Sequence, residues 1–382
     1  MNIELVRTYE GHTDIVVAVC ALNGNQFVSG SDDNTLKRWD VGEEGVQTAV
    51  RTYEGHTSYV KTVCALPKSE PQNPQQFVSG SFYKALKLWN VDLPTAVRTY
   101  RGHTSRVYAV CALNDEYFVS ASWDKTLKLW NVGEEDAVRT YNGHTRCVYA
   151  VCALDDKQFV SGSQDKTLKL WNVGEEGDGD VQNAVRTFSG HTDYVRAVCL
   201  VNGKQFVSGS DDKTLKLWNV GKEGDEDVQN AVMTFLGHTG CVNAVCALNY
   251  THFVSGSDDN TLLLWNVDSP TAIRSISTHC VYALDKLDGY HFVSGGDDNT
   301  LKLWSFSEKP LETVATEKLK DGVGDDPTNI IEIFVGTPIG KEVDTKLRKG
   351  GKRRNRKSKK LNKRSIKRKF RKTRRKSRKS RK

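Results

Sequence analysis

One unit recurs seven times along this chain, and a sequence with that property folds as stacked copies of a small element rather than as unrelated domains. The unit opens on Gly-His-Thr and continues through an apolar run such as Val16-Val-Ala-Val-Cys-Ala-Leu22. Then come Phe27-Val-Ser-Gly-Ser31, a turn centred on Asp, a segment such as Thr126-Leu-Lys-Leu-Trp-Asn-Val132, and one such as Ala49-Val-Arg-Thr-Tyr53. Its tryptophan stands at Trp39, Trp89, Trp130, Trp171, Trp218, Trp265 and Trp304, at separations of 39 to 50 residues. Each unit holds four short β-branched or aromatic segments bounded by Gly, Asp, Asn and Ser, which predicts four strands per unit.

A Gly-His near the start of a unit this long, with Trp-Asp or Trp-Asn near its end, resembles the WD-repeat family over roughly residues 1–306. The resemblance implies an all-β fold, a seven-bladed β-propeller whose four-stranded sheets stand around a central channel. It also implies a hydrogen-bonded set inside each blade: His12, Ser29, Asp33 and Trp39 in the first. The corresponding sets are His103, Ser120, Asp124 and Trp130; His144, Ser161, Asp165 and Trp171; His191, Ser208, Asp212 and Trp218; and His238, Ser255, Asp259 and Trp265. Buried imidazole and indole N–H groups need acceptors, and a carboxylate and a hydroxyl supply them.

Two units depart from this pattern. The second has Tyr83 in place of Asp and Ala85 in place of Thr; the seventh has Ser277 where His is expected and Asp285 where the others carry Cys. Those blades are expected to be the least stiff. The stretch Leu5-Val-Arg-Thr-Tyr9 matches the last segment of later units. By the same resemblance it closes the ring, with Val6 to Tyr9 beside Thr300 to Phe306; Leu311 to Thr316 is a rival for that edge.

Charge divides the chain again. Residues 346–382 hold 24 of its 55 Lys and Arg and no acidic residue, leaving 31 basic against 47 acidic residues elsewhere, a net charge of about −16. Self-repulsion and few apolar residues predict a disordered tail there, joined through a linker of residues 307–345 in which Ile330 to Val335 is the one apolar run. Such a tail suits nuclear or nucleolar targeting, or nucleic-acid contact without base selectivity. No signal peptide is expected, because Met1 to Glu10 holds no apolar run, and no membrane span, because 18 consecutive apolar residues occur nowhere.

Catalysis has little support. The His and Asp residues recur once per unit and would be dispersed around a ring, whereas an active site needs unlike groups converging on one point. Six of the nine cysteines (Cys20, Cys64, Cys111, Cys152, Cys199 and Cys246) share one repeat position, which reads as a small buried apolar residue. No Cys or His spacing suits a metal, and no cofactor is expected.

Binding is favoured by comparing the copies. Counting from the Gly-His histidine, or from Ser277 in the last unit, every unit has Val at the fourth position after it and Ala or Thr at the sixth, but the third and fifth positions vary, and period-two alternation sets them on one side of the strand. In the family this resembles, that side and the residue before the turn Asp line the mouth where peptides dock. Blades two to five offer there Tyr59, Lys61, Phe82, Arg106, Tyr108, Trp123, Arg146, Tyr149, Tyr194 and Arg196, and aromatic and Arg side chains dominate interface energies. Three readings follow: a scaffold for a protein or peptide partner, a nucleic-acid-associated protein bound mainly through its tail, and, least supported, an enzyme.

Overall fold

The computed structural model describes residues 2–42, 48–68, 70, 72–174, 181–221 and 230–307. The tail, the linker beyond Ser307, Ile330 to Val335 and Leu311 to Thr316 lie outside the described residues, and Ser307 itself ends a strand. Seven sheets follow one another, each with an inner, a second, a third and an outer strand paired antiparallel, in chain order in the first six; in the first these are Val16–Asn23, Gln26–Ser31, Leu36–Asp40 and Arg51–Tyr53. The inner strand keeps Val16 and Ala18 buried, and the second strand is buried on both faces from Phe27 to Ser31. Between the third and outer strands of the fourth blade, Val181–Gln182 pairs in parallel with the outer strand Ala137–Tyr141 of the third.

The seventh sheet takes its outer strand from the start of the chain. Asn2–Tyr9 pairs antiparallel with Leu301–Ser307, from Asn2 opposite Ser307 to Tyr9 opposite Leu301, with an irregularity between Leu5 and Arg7. The pairing reaches four residues further back than Val6 because Ile3 is buried with Trp304 and Phe306. The edge contested by Leu311 to Thr316 is therefore occupied by Asn2–Tyr9.

The apolar core lies between blades rather than within them. Val16, Val19, Phe27 and Trp39 of the first blade share one cluster with Ala283, Val293, Leu301 and Leu303 of the seventh, bridged by Tyr9. Tyr9 meets Trp39 edge-on with ring centroids 5.7 Å apart, while Phe27 stacks on the same indole. Such aromatic pairs add about 0.5–1.5 kcal/mol beyond the area they bury. The pattern recurs: Tyr53 packs on Trp89, and its hydroxyl donates to the Val91 carbonyl of the next blade at 2.8 Å. At the seam Gly295 admits the next blade, since a Cβ there would lie 2.7 Å from Val16 Cγ1.

The repeated cysteines also link neighbours. Cys20 Sγ accepts the Ala65 N–H at 3.0 Å, Cys64 that of Ala112 at 3.3 Å, Cys111 that of Ala153 at 3.1 Å and Cys199 that of Ala247 at 3.3 Å. Cys152 and Cys246 face the amides of Leu200 and Lys286 in the same way. Asp285 completes the ring, its Oδ2 accepting the Ala21 N–H of the first blade at 2.8 Å. The sequence reading of these positions as plain apolar filler is thus incomplete. Burial pushes the Cys152 thiol up to about 11, so it carries little of the thiolate that reacts.

Deleting residues 2–9 should lower the melting temperature markedly, because it strips the seventh sheet of its outer strand and exposes Trp304 and Trp39 together; an unchanged melting curve would contradict this closure. Asp285 makes a second expectation. Burial pushes its carboxyl up to about 6, against about 3.9 for a free Asp. The folded chain therefore holds the proton more tightly, and the resulting stability is full below about pH 4 and lost as pH rises through about 6. Asp285→Asn keeps an acceptor for Ala21 without ionising. The gain in its urea midpoint over the unsubstituted protein should grow between pH 4 and 6 and level off above; a flat difference would remove the carboxylate from the argument.

Candidate partner-binding face

The side chains that could meet a partner are held in place by the network beneath them. In the first blade His12 Nδ1 donates to Asp33 Oδ2 at 2.7 Å, and its Nε2 accepts from the Ser29 hydroxyl at 2.7 Å. Ser29 Oγ in turn accepts the Trp39 indole N–H at 2.8 Å, and Asp33 takes the Thr35 hydroxyl at 2.6 Å and the Thr13 amide at 3.1 Å. The structure places the other four complete sets in the same geometry, with His103–Asp124 at 2.8 Å, His144–Asp165 at 2.7 Å, His191–Asp212 at 2.8 Å and His238–Asp259 at 2.8 Å. Ser120, Ser161, Ser208 and Ser255 each accept the indole N–H of Trp130, Trp171, Trp218 and Trp265 at 2.8 Å.

Electrostatics match a structural use. Burial pushes the Asp33, Asp124, Asp165 and Asp212 carboxyls up, but the hydrogen bonds from His and Thr outweigh it and hold them well below the usual carboxylate range. Burial also lowers His144, His191 and His238 against the opposing pull of their carboxylates, which keeps these rings neutral near pH 7.

The two unusual blades differ from each other. In the second, His56 keeps Ser79 at 2.6 Å but Tyr83 points outward, 70 % exposed. In the seventh, a histidine is present after all: His279, two residues beyond Ser277, brings its Nδ1 to 3.4 Å from Asp298 Oδ2. Room for it comes from Gly296, which stands where other blades have Ser; a Cβ there would fall 1.8 Å from the His279 ring. The serine-to-glycine change was the signal in the sequence that could have found it.

The network fixes the turn, and the turn fixes the face. In each blade the residue before the turn Asp, or before Tyr83 in the second, donates its amide to the carbonyl of the third position after the histidine, or after Ser277 in the seventh, as Phe82 does to Tyr59 and Trp123 to Arg106, both at 2.9 Å. That bond brings together residues far apart in sequence. Lys61 lies over Tyr59 at 5.1 Å; Tyr59 and Phe82 meet edge-on at 5.6 Å. Arg106 is layered between Phe82 at 3.7 Å and Trp123 at 4.8 Å. Tyr108 touches Trp123 at 5.8 Å and Tyr149 at 4.9 Å, and Arg196 covers Tyr149 at 4.9 Å and Tyr194 at 5.8 Å. The result is one continuous ladder of cations and rings across four blades.

Its ends are capped by carboxylates. Lys61 pairs with Asp32 at 2.6 Å, and Arg196 makes two parallel bonds of 2.7 Å to Asp211. Arg106 has no carboxylate partner among the described residues. Burial raises the Cys147 thiol, against the lowering charges of Lys125, Arg106 and the exposed Arg146. Asp258 and Asp297, in the sixth and seventh blades, contact Asn243 and Cys280 instead of a cation. The variable side of the inner strand is only partly exposed. It is not free throughout: Cys147 and Cys280 at the third position are buried, and most ladder residues are half-buried by stacking on each other.

These sheets and this repeated network define a seven-bladed propeller of WD-type repeats. The WD domain, G-beta repeat family matches residues 3–40, 47–90, 94–131, 135–172, 182–219, 229–266 and 271–305, and the chain belongs to that family. It is similar to the crystal structure of the WD40 beta propeller domain of Doa1, with 25% identity and a TM-score of 0.68 over 80% of this chain and 98% of that one. None of the curated proteins matches this chain. Propellers of this family are usually non-catalytic and generally bind protein partners. Among the described residues no three His, Cys, Asp or Glu side chains are grouped to hold a metal, and no helix is long and apolar enough to cross a membrane.

The shared serine permits a direct comparison between blades. Ser161→Ala orphans both His144 and Trp171, at about 1–3 kcal/mol each, whereas Ser294→Ala orphans only Trp304. Chemical denaturation should show the first to be the more destabilising; equal losses would mean that the histidine bond contributes nothing.

Proposed function

We propose that this chain is a non-catalytic scaffold that holds a protein or peptide partner on the arc from Tyr59 to Tyr194. The carrying observation is the stacked ladder of Lys61, Tyr59, Phe82, Arg106, Trp123, Tyr108, Tyr149, Arg196 and Tyr194. Packing alone does not call for it, since the apolar clusters between blades are complete without these residues. Rings and guanidinium groups already ordered by one another lose little conformational freedom on binding, which is what pre-organisation contributes to affinity. Arg106, stacked on Trp123 and without a carboxylate partner among the described residues, favours an acidic residue in the partner, and Asp258 and Asp297 favour a basic one further along.

A second reading rests on the basic segment, residues 346–382, whose 24 uncompensated charges suit nuclear or nucleolar targeting or polyanion contact by counterion release. One experiment separates the two. Full-length protein and the Arg106→Ala, Tyr108→Ala, Trp123→Ala triple variant are used to capture partners, with and without nuclease. Each true anchor should cost about 2 kcal/mol or more, so the folded triple variant should lose a nuclease-resistant partner. Capture that the triple variant retains in full, and that nuclease abolishes, would assign binding to the basic segment.

A further inference from the structure

The second blade carries a cleft that the other blades fill with their own carboxylate. In blades one, three, four, five and six the turn Asp accepts from the histidine Nδ1 and, at 2.8–3.1 Å, from the amide of the following Thr. Tyr83 supplies no carboxylate, so His56 Nδ1 and the Thr57 amide lose that acceptor. His56 is only 8 % exposed, and it lines an opening of about 390 Å³ with Thr57, Tyr83, Lys84, Lys87 and Arg101.

Charge changes at the same place. The residue after the outer strand is Arg101 here, whereas the corresponding residue is Glu54, Asn142, Ser189, Leu236 and Glu10 in blades one, three, four, five and seven. Among the residues lining the cleft there are three Lys and Arg and no Asp or Glu. Among the described residues Lys87 reaches only the Thr99 hydroxyl, at 3.0 Å. Burial, and then Arg101, pull the Lys87 ammonium down from its ordinary value; burial, and then Lys87, bring His56 down to about 3. A neutral imidazole whose Nε2 faces a serine hydroxyl offers its Nδ1–H toward the opening.

We infer that this cleft is a binding site for a phosphoryl group, seated where the missing carboxylate would lie and held by His56 Nδ1–H, the Thr57 amide, Lys84, Lys87 and Arg101. Three cations without a counter-charge suit a dianion with three acceptor oxygens better than a carboxylate. The shared chemistry admits a free phosphate or a phosphorylated side chain. The site does not depend on the ladder, although Thr57 and Tyr83 adjoin its Tyr59 and Phe82 end.

The test is thermal unfolding of full-length protein at pH 7.5 in inorganic phosphate, against chloride at matched ionic strength. Phosphate also stabilises proteins by exclusion from their surface, and the basic segment takes up anions, so the readout is the difference between variants that share both effects. Unsubstituted protein should show a saturable rise in melting temperature that Arg101→Gln loses. Tyr83→Asp, which brings back an internal carboxylate, should be more stable in chloride and gain nothing saturable from phosphate. A short phosphoserine peptide forms a separate arm: saturation at tenfold lower concentration than inorganic phosphate assigns the ligand to a phosphorylated partner, and the reverse order assigns it to free phosphate. Equal phosphate-dependent gains in all three proteins would overturn the site, and an equal gain in acetate would overturn the phosphoryl assignment.

Discussion

No blade of this molecule can bury its own faces, and contact between neighbouring blades is the interaction on which everything else rests. A four-stranded sheet presents two apolar sides, and here each is covered by the next sheet around the ring, with Tyr9, Tyr53, Tyr100 and Tyr141 reaching across to the tryptophan of the following blade. Such an arrangement is satisfied only if the last blade also finds a neighbour. The strand Asn2–Tyr9 answers that need by belonging to the seventh sheet while its Tyr9 packs into the first. The ring of cysteine and Asp285 contacts near the inner strands repeats the same logic with weak acceptors, one per junction.

Rigidity at these junctions passes outward to the face. The His–Asp–Ser–Trp network holds the turn, the turn amide bonds the start of the inner strand, and the paired backbone sets a variable side chain of one against a variable side chain of the other. The invariant part of each copy thus serves as a mount, and the variable part becomes a surface. Where the mount is incomplete, chemistry becomes available: in the second blade the lost carboxylate leaves donors facing an open cleft, while in the seventh a displaced histidine and a glycine partly rebuild it.

Much of this was legible in the sequence because repetition supplies its own control. Seven copies showed which positions were constant and which varied, so the number of blades, the strand order, the closing strand and the residues of each buried network could be named from spacing and from family resemblance. His279 escaped that reading because it stands two residues out of register, and only the absent Cβ of Gly296 shows why the space exists. The role of the cysteines escaped it because an apolar setting says nothing of what the sulfur faces across a junction.

What the sequence by itself determined is the repeat: the local pattern of strands and turns, and the separation of an acidic body from a basic segment. These depend on neighbours along the chain, and a single sequence contains them. Tertiary structure alone decided which variable residues meet. Tyr59 and Phe82, Phe82 and Arg106, and Tyr149 and Arg196 lie 23, 24 and 47 positions apart; the first pair meets because the second blade's turn bonds back to the start of its inner strand, and the other two because neighbouring blades stand side by side. The pairing of Lys61 with Asp32 and of Arg196 with Asp211, which leaves Arg106 unpaired, was likewise invisible in composition, because charge partners are chosen by distance in space and not by order in the chain.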